Sequence, residues 1–310
     1  MPKPFTKLYN PGYRVLLPAG ILFFDRQSGL TATAKTARLA TGFSYRAPMP
    51  VPSRIVCLSA EAVDVLYLLG CGRRIVGVTS FAAEPPAARR KPRVSGFSSV
   101  NFEKIDALKP DLVITFSDVQ ADAVRELVRR GHTVLATNQR SLPEIFKTIR
   151  LVGRVVGRAP EAGRLVDDLR RKIGGPKKFP RGTTSPKVYF EEWDAPHISG
   201  IRWVGELIEA AGGRDIFPEL RECSRAPDRV VTGDEVVRRR PDIIIASWCG
   251  KQAKLAEICR RPGWETIPAV RHGQVYEIKS AHILQPGPGL LKGLQQLRKI
   301  IKAWHHSHSR

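Results

Sequence analysis

The chain has 310 residues, 42% of them hydrophobic, and a formal net charge of +22. That length leaves room for two domains of ordinary size, and the lack of any apolar run of about 18 residues argues against an ordinary transmembrane helix. The basic balance admits nucleic acid or anionic membrane as a partner, but Arg89-Arg90, Arg129-Arg130 and Arg238 to Arg240 fall at predicted helix ends or loops without interleaved aromatics, so no nucleic acid is expected.

At the start, Lys3, Lys7 and Arg14 precede an apolar run from Val15 to Phe24, loosely like a signal peptide but broken by Pro18 and Gly20. Residues 1–48 read as an irregular basic leader, and α/β patterning begins after Met49. From Arg54 the expected order is strand RIVCLS, helix Glu61 to Leu69, strand Ile75 to Val78, a Pro- and Ala-rich loop, and a short extended piece at Val94. Next comes NFEKIDALKPDLVI, from Asn101 to Ile114: a short helix with an acid in its first turn, a stopping proline, and a buried strand. Helix Ala121 to Arg130 and strand Thr133 to Ala136 complete an N-terminal lobe, 49–140. Ser141-Leu-Pro-Glu144 opens a connecting helical segment, 141–175, with a capping box.

The C-terminal lobe, 176–310, begins with strand Lys187 to Phe190, followed by helix Val204 to Ala211. Then the earlier pattern returns: TGDEVVRRRPDIII, from Thr232 to Ile245, again sets an acid seven positions before Pro-Asp and a β-branched run. Glu103 matches Asp234, and Pro110-Asp111 matches Pro241-Asp242. Val275 to Ile278 is a late strand and Leu290 to Trp304 a closing amphipathic helix. The fold class expected is α/β: two Rossmann-like lobes with central parallel sheets, joined by a long interdomain helix, with a ligand cleft between them.

Ligands of parallel sheets sit at the carboxyl ends of strands. Phe81, Phe97, Phe116, Trp193 and Trp248 all fall at or near such ends, which predicts an apolar-walled cleft for a large ligand. Gln285 lies in a loop that could face it. No Walker loop, GxSxG elbow or HExxH stands in the chain. Glu191-Glu192 could serve as acid and base, or as polar strand-end residues. Cys249 could be a nucleophile, though no His or Asp is placed by sequence to activate it. His197, His272 and His282 give no metal-ligand spacing, so no metal site is expected. The five cysteines are odd in number and irregular in spacing, a poor disulfide framework. Glu103 and Asp234 read either as first-turn acids favoured by the helix dipole or as symmetry-related charges that dock a two-fold partner.

Taken in order, RIVCLSAEAVDVLYLLGCGRRIVGVT, NFEKIDALKPDLVI, SLPEIFKTIRLVGRVVG, WVGELIEAAGGRDIF, VVTGDEVVRRRPDIIIASWCG and RPGWETIPAVRHGQVYEI resemble the bilobal substrate-binding proteins of bacterial ABC importers for cobalamin, haem and iron-siderophores. The cobalamin-binding branch, within the periplasmic-binding-protein family, is the closest fit. The resemblance implies non-catalytic binding of cobalamin or a similar large metal chelate as cargo, with no cofactor. It implies a monomer that meets an ABC transporter membrane permease through an acid on each lobe, here Glu103 and Asp234. Phe81, Phe97, Phe116, Trp193, Trp248 and Gln285 fall at its ligand-wall positions, with Asp118 to Gln120 beside them. It also implies export or lipid anchoring, although no lipobox Cys is seen, and in some members a lobe-two disulfide, here Cys223 with Cys249 or Cys259. An iron-siderophore or haem is the alternative cargo, with Arg202 suited to an anionic siderophore and His282 as the candidate haem ligand. A tetrapyrrole-related enzyme on the same scaffold, cytoplasmic in that case, is the alternative of another class.

Overall fold

The computed structural model describes residues 51–96, 99–176 and 184–308. In the first lobe, β1 (Ile55–Cys57), β2 (Ile75–Thr79), β3 (Arg93–Ser95), β4 (Leu112–Phe116) and β5 (Val134–Thr137) form one sheet in the order β3-β2-β1-β4-β5. All its pairings are parallel. β1 and most of β4 are buried, as β-branched runs covered on both faces must be. Helices α1 (Ala60–Leu68), α2 (Phe102–Leu108) and α3 (Ala121–Arg129) make the crossovers. The strand order reverses between β1 and β4, so the topological switch point lies at their carboxyl ends.

The connector is two helices, α4 (Leu142–Val155) and α5 (Ala159–Ile173). The capping box at its start is formed: Ser141 Oγ accepts from Glu144 N at 3.3 Å, and Glu144 Oε2 accepts from Ser141 N at 3.1 Å. Gly153 lets the two helices touch, since a Cβ there would lie 2.3 Å from Ala162 Cβ.

In the second lobe, β6 (Lys187–Asp194) pairs in parallel with β9 (Ile243–Ala246), which pairs with β10 (Val275–Glu277). The other edge of β6 is shared by two short strands. Its first residues pair with β8 (Arg214–Asp215), and its last turn back into the antiparallel β7 (His197–Ser199). α6 (Arg202–Ala211), α7 (Gly233–Arg239) and three short helices, α8 (Leu255–Cys259), α9 (Pro268–Arg271) and α10 (Ser280–Ile283), cover this sheet, and α11 (Leu290–His308) closes the fold.

The repeated sequence pattern is repeated geometry. Asn101 and Thr232 each cap their helix by accepting the N–H three residues on. Lys109 and Arg240 each end it in the left-handed region, at φ 46° and 51°, ahead of a proline that cannot continue. Asp111 then accepts the N–H groups of Ser53 and Arg54 at the entry to β1, and Asp242 accepts that of Lys187 at the entry to β6. Each Pro-Asp pair thus ties the end of a helix to the first strand of its own lobe.

One apolar core runs from Ile55 and Leu66 in the first lobe, through Ile145 and Val152 of α4, to Ile208 of α6 and Leu297 of α11. Each such side chain contributes about 1.5–3 kcal/mol by its burial. Two lobes that share a core this way do not swing apart freely.

Candidate ligand-binding cleft

A cavity of about 110 Å³ opens where the carboxyl ends of the two sheets face each other. The first lobe contributes Leu58 and Ser59 after β1, Thr79 and Phe81 at β2, and Phe116 and Ser117 at β4. The second contributes Cys249 after β9, and Ser280 with Leu284 to Pro286 after β10. The site therefore stands at the switch point of the first sheet.

Gln120 explains how its floor is held. The buried amide accepts from Phe116 N at 3.1 Å and donates from Nε2 to Leu58 O at 3.0 Å, stapling the ends of β4 and β1 together. Ser117 sits at φ 68° and ψ 170°, a region costly for any residue but glycine. The backbone there bends out of β4 and into the 118–120 turn. Arg140 fixes the same turn from outside. It pairs with Asp118 at 2.6 Å and lies 5.5 Å above the Phe116 ring. Phe81 is 37% exposed at the mouth and reaches toward the second lobe, its ring edge 3.6 Å from where a Cβ on Gly250 would lie.

Of the residues expected at the wall, Phe81, Phe116 and Gln285 line this one cavity. Phe97 lies outside the described residues. Trp248 and Trp193 are placed elsewhere. Trp248 is 2% exposed, with its indole N–H donating to Glu191 Oε1 at 3.1 Å inside the second lobe's core. Trp193 is the penultimate residue of β6, which ends at Asp194 and turns back as β7, and it is not among the residues that line the cavity. Its ring carries Lys251 Nζ at 4.1 Å, and that same ammonium lies 4.8 Å from Trp248.

Glu191 and Glu192 are likewise drawn inward. Glu191 is 0% exposed and takes both ends of the Arg261 fork, at 2.5 and 2.9 Å, while Tyr189 Oη donates to it at 3.3 Å. His197 stands 3.6 Å away, its pKa lowered by burial and by Arg261 against the pull of Glu191. Glu192 is paired with the buried Arg229 at 2.6 and 3.1 Å. Neither carboxylate is free to act on a ligand. Cys249 does line the cavity, but burial pushes its thiol pKa up, the reverse of an activated nucleophile. Cys223, Cys249 and Cys259 are all free, so the lobe-two disulfide is not formed. Arg202 is held by Glu206 and Glu222, and His282 Nδ1 faces Gln296 Nε2 at 3.0 Å. Neither belongs to the cavity lining.

Glu103 and Asp234 occupy equivalent places. A helix preceding a parallel strand runs opposite to it, so the N-termini of α2 and α7 lie on the carboxyl-end side of their sheets, flanking the cleft. The Glu103 side chain is 79% exposed, with one long contact of 3.3 Å to Arg130. Asp234 is exposed, while its neighbour Glu235 is consumed by Arg238 and Arg239. The shorter Asp234, not Glu235, is the available acid.

Glu61 and the 58–59 segment were not singled out from the sequence. An acid in the first turn of a helix reads as an ordinary dipole partner, and nothing local reveals that a loop more than two hundred residues later buries it.

The comparisons agree on the kind of molecule. The family model described as "Periplasmic binding protein" matches residues 55–282. An uncharacterised ABC transporter substrate-binding lipoprotein of Bacillus subtilis is 29% identical, covering 81% of this chain and 80% of that protein. A vitamin B12-binding protein of Vibrio cholerae is 25% identical, covering 82% and 91%. The periplasmic heme-binding protein RhuT of Roseiflexus sp. RS-1, solved in its apo form, superposes with a TM-score of 0.69 at 21% identity, covering 81% of this chain and 98% of that one.

Proposed function

The chain belongs to the periplasmic binding protein family, and from that premise we propose that the cargo it carries as the substrate-binding protein of an ABC importer is cobalamin or a related corrinoid. It captures and hands on its ligand without catalysis. The character of the cavity wall carries the corrinoid reading. Among the described residues that line it there is no Tyr, His or Met to ligate a haem iron, and burial holds its one thiol, Cys249, away from the thiolate that would. Nor is there a Lys or Arg to hold an anionic siderophore. What is present is aromatic surface from Phe81 and Phe116, hydroxyls from Ser59, Thr79, Ser117 and Ser280, the Gln120 and Gln285 amides, the Cys249 thiol and one carboxyl. Aromatic faces suit a corrin ring, and short hydroxyls and an amide suit its rim of amide side chains. The vitamin B12-binding relative supports the same reading.

A corrinoid is larger than a cavity of about 110 Å³, which is itself below the roughly 300–1,000 Å³ of enclosed ligand sites. The shared core resists separating the lobes, so accommodation falls to the strand-end loops that carry Phe81 and Val119.

Calorimetric titration with cyanocobalamin and with hemin tests the reading. One-to-one binding of cyanocobalamin at micromolar affinity or tighter is expected, with hemin weaker. Phe116→Ala should weaken cyanocobalamin at least about tenfold, the loss of 1.4 kcal/mol expected for an aromatic wall. Hemin binding that exceeds cyanocobalamin binding would replace the corrinoid by a haem.

A further inference from the structure

Glu61 is the only charged side chain among the described residues that line the cavity. It stands in the first turn of α1, directly after β1, at the switch point. The residue is 6% exposed, and its Oε1 meets no hydrogen-bond partner among the described residues. The second lobe closes over it: a Cβ on Gly287 would lie 2.7 Å from Glu61 Cβ. Burial pushes its pKa up to about 7, its own N–H and the Ser59 hydroxyl pulling the other way and Asp64 adding to the rise. A buried polar atom left unsatisfied costs about 1–3 kcal/mol. No partner among the described residues offsets that cost at Oε1, and Glu61 is one of the residues that line the cavity.

Resting on the reading of this cleft as the cargo site, we propose that Glu61 is its specificity residue: Oε1 takes a hydrogen bond from an N–H donor of the ligand, so the cleft prefers ligands edged with amides or cations over ligands edged with carboxylates. An amide N–H favours the ionised carboxylate and draws its proton off. A carboxylate-edged ligand instead sets two anions together away from water, and must bring a proton or do without the contact. The other titratable groups of the neighbourhood are Asp64 on the same helix, raised to about 7 by burial and by Glu84, Lys292 of α11, which pairs with Glu84 at 3.3 Å, and the buried Cys57. A pH response of the wild type alone therefore does not single out Glu61; its difference from a Glu61 variant does.

The test is calorimetry of wild type, Glu61→Gln and Glu61→Ala with cyanocobalamin, which has an amide rim, and hemin, which has two propionates, at about pH 6 and about pH 8, on either side of the carboxyl's titration. Folding of each variant is checked by circular dichroism and thermal melting. Wild-type affinity for cyanocobalamin should fall several-fold from the higher to the lower pH, and Glu61→Gln should flatten that dependence. Hemin should bind Glu61→Gln more tightly than wild type. Equal cyanocobalamin affinities and pH profiles in wild type and both variants would overturn the assignment while leaving the corrinoid reading standing. If hemin binds wild type and cyanocobalamin does not, the corrinoid reading falls, and a hemin affinity unchanged or lowered by Glu61→Gln removes Glu61 as well. Binding of neither ligand to wild type overturns both.

Discussion

Replacing Arg261 with methionine is expected to cost about 3–5 kcal/mol of stability, because it strands a buried charge. Glu191 is fully buried, and its oxygens are met by the Arg261 fork, the Trp248 indole and the Tyr189 hydroxyl. Arg261 supplies the only positive charge in that set. Without it, the buried Glu191 carboxylate has no countercharge, and the strain of that loosens the second lobe's core. The exposed Arg171–Asp168 pair, at an equally short 2.5 Å, is a useful contrast. Arg171→Ala should cost no more than about 1 kcal/mol, since surface pairs are screened. The double variant Glu191→Gln with Arg261→Met should cost less than the two single changes added together. Urea unfolding with unchanged slope reads all four. A loss below about 1 kcal/mol for Arg261→Met would mean that water already reaches Glu191. The same pair holds Trp248, and through it the turn that brings Cys249 to the cleft, so the variant should also bind ligand poorly.

The second large effect concerns transport. Changing Glu103 and Asp234 together to arginine is expected to lower ligand uptake through the importer at least about tenfold while leaving the dissociation constant for the ligand unchanged. The acids sit outside the cavity, in the first turns of α2 and α7, on the side of each sheet that faces the cleft. One partner lying across the cleft would meet both. Opposed like charges cost several kcal/mol at an interface, and each 1.4 kcal/mol is a factor of ten. The chain carries a net charge of +22, so two exposed acids at matching places stand out against a repulsive background for any cationic partner surface. Uptake by cells carrying the double variant, compared with calorimetry of the purified protein, separates docking from capture. Uptake equal to wild type would remove the docking role, and reduced ligand affinity would show that the acids act on the cleft instead.

The parts legible in the sequence are those whose cause is local. The two acid-to-Pro-Asp segments fold as helix, left-handed stop and strand because caps, prolines and β-branched runs act within a dozen residues. The Ser141 capping box is of the same kind. The direction of an aromatic ring after a strand is not local. Phe81 and Phe116 turn into the cleft, but Trp248 turns away, because Glu191 and Arg261, far apart in sequence, build a polar pocket for its N–H. The YFEEWD run carries two adjacent glutamates inside β6, and what tolerates them is not local: one is neutralised by Arg261 and the next by Arg229. Glu61 is of the same kind: its burial depends on the loop at Gly287.

Cys249 offers the most direct test that the ligand occupies the space between the sheets. It lines the cavity, while Cys223 and Cys259, neither of which does, report on the rest of the second lobe. The rate of alkylation at each cysteine, followed by mass spectrometry with and without saturating cyanocobalamin, reads the site by position. Slower modification of Cys249 by at least about tenfold, with Cys223 and Cys259 unchanged, is the expected result, since buried thiols react only when solvent reaches them. Cyanocobalamin that binds and leaves Cys249 as reactive as before would place the ligand elsewhere and contradict the account.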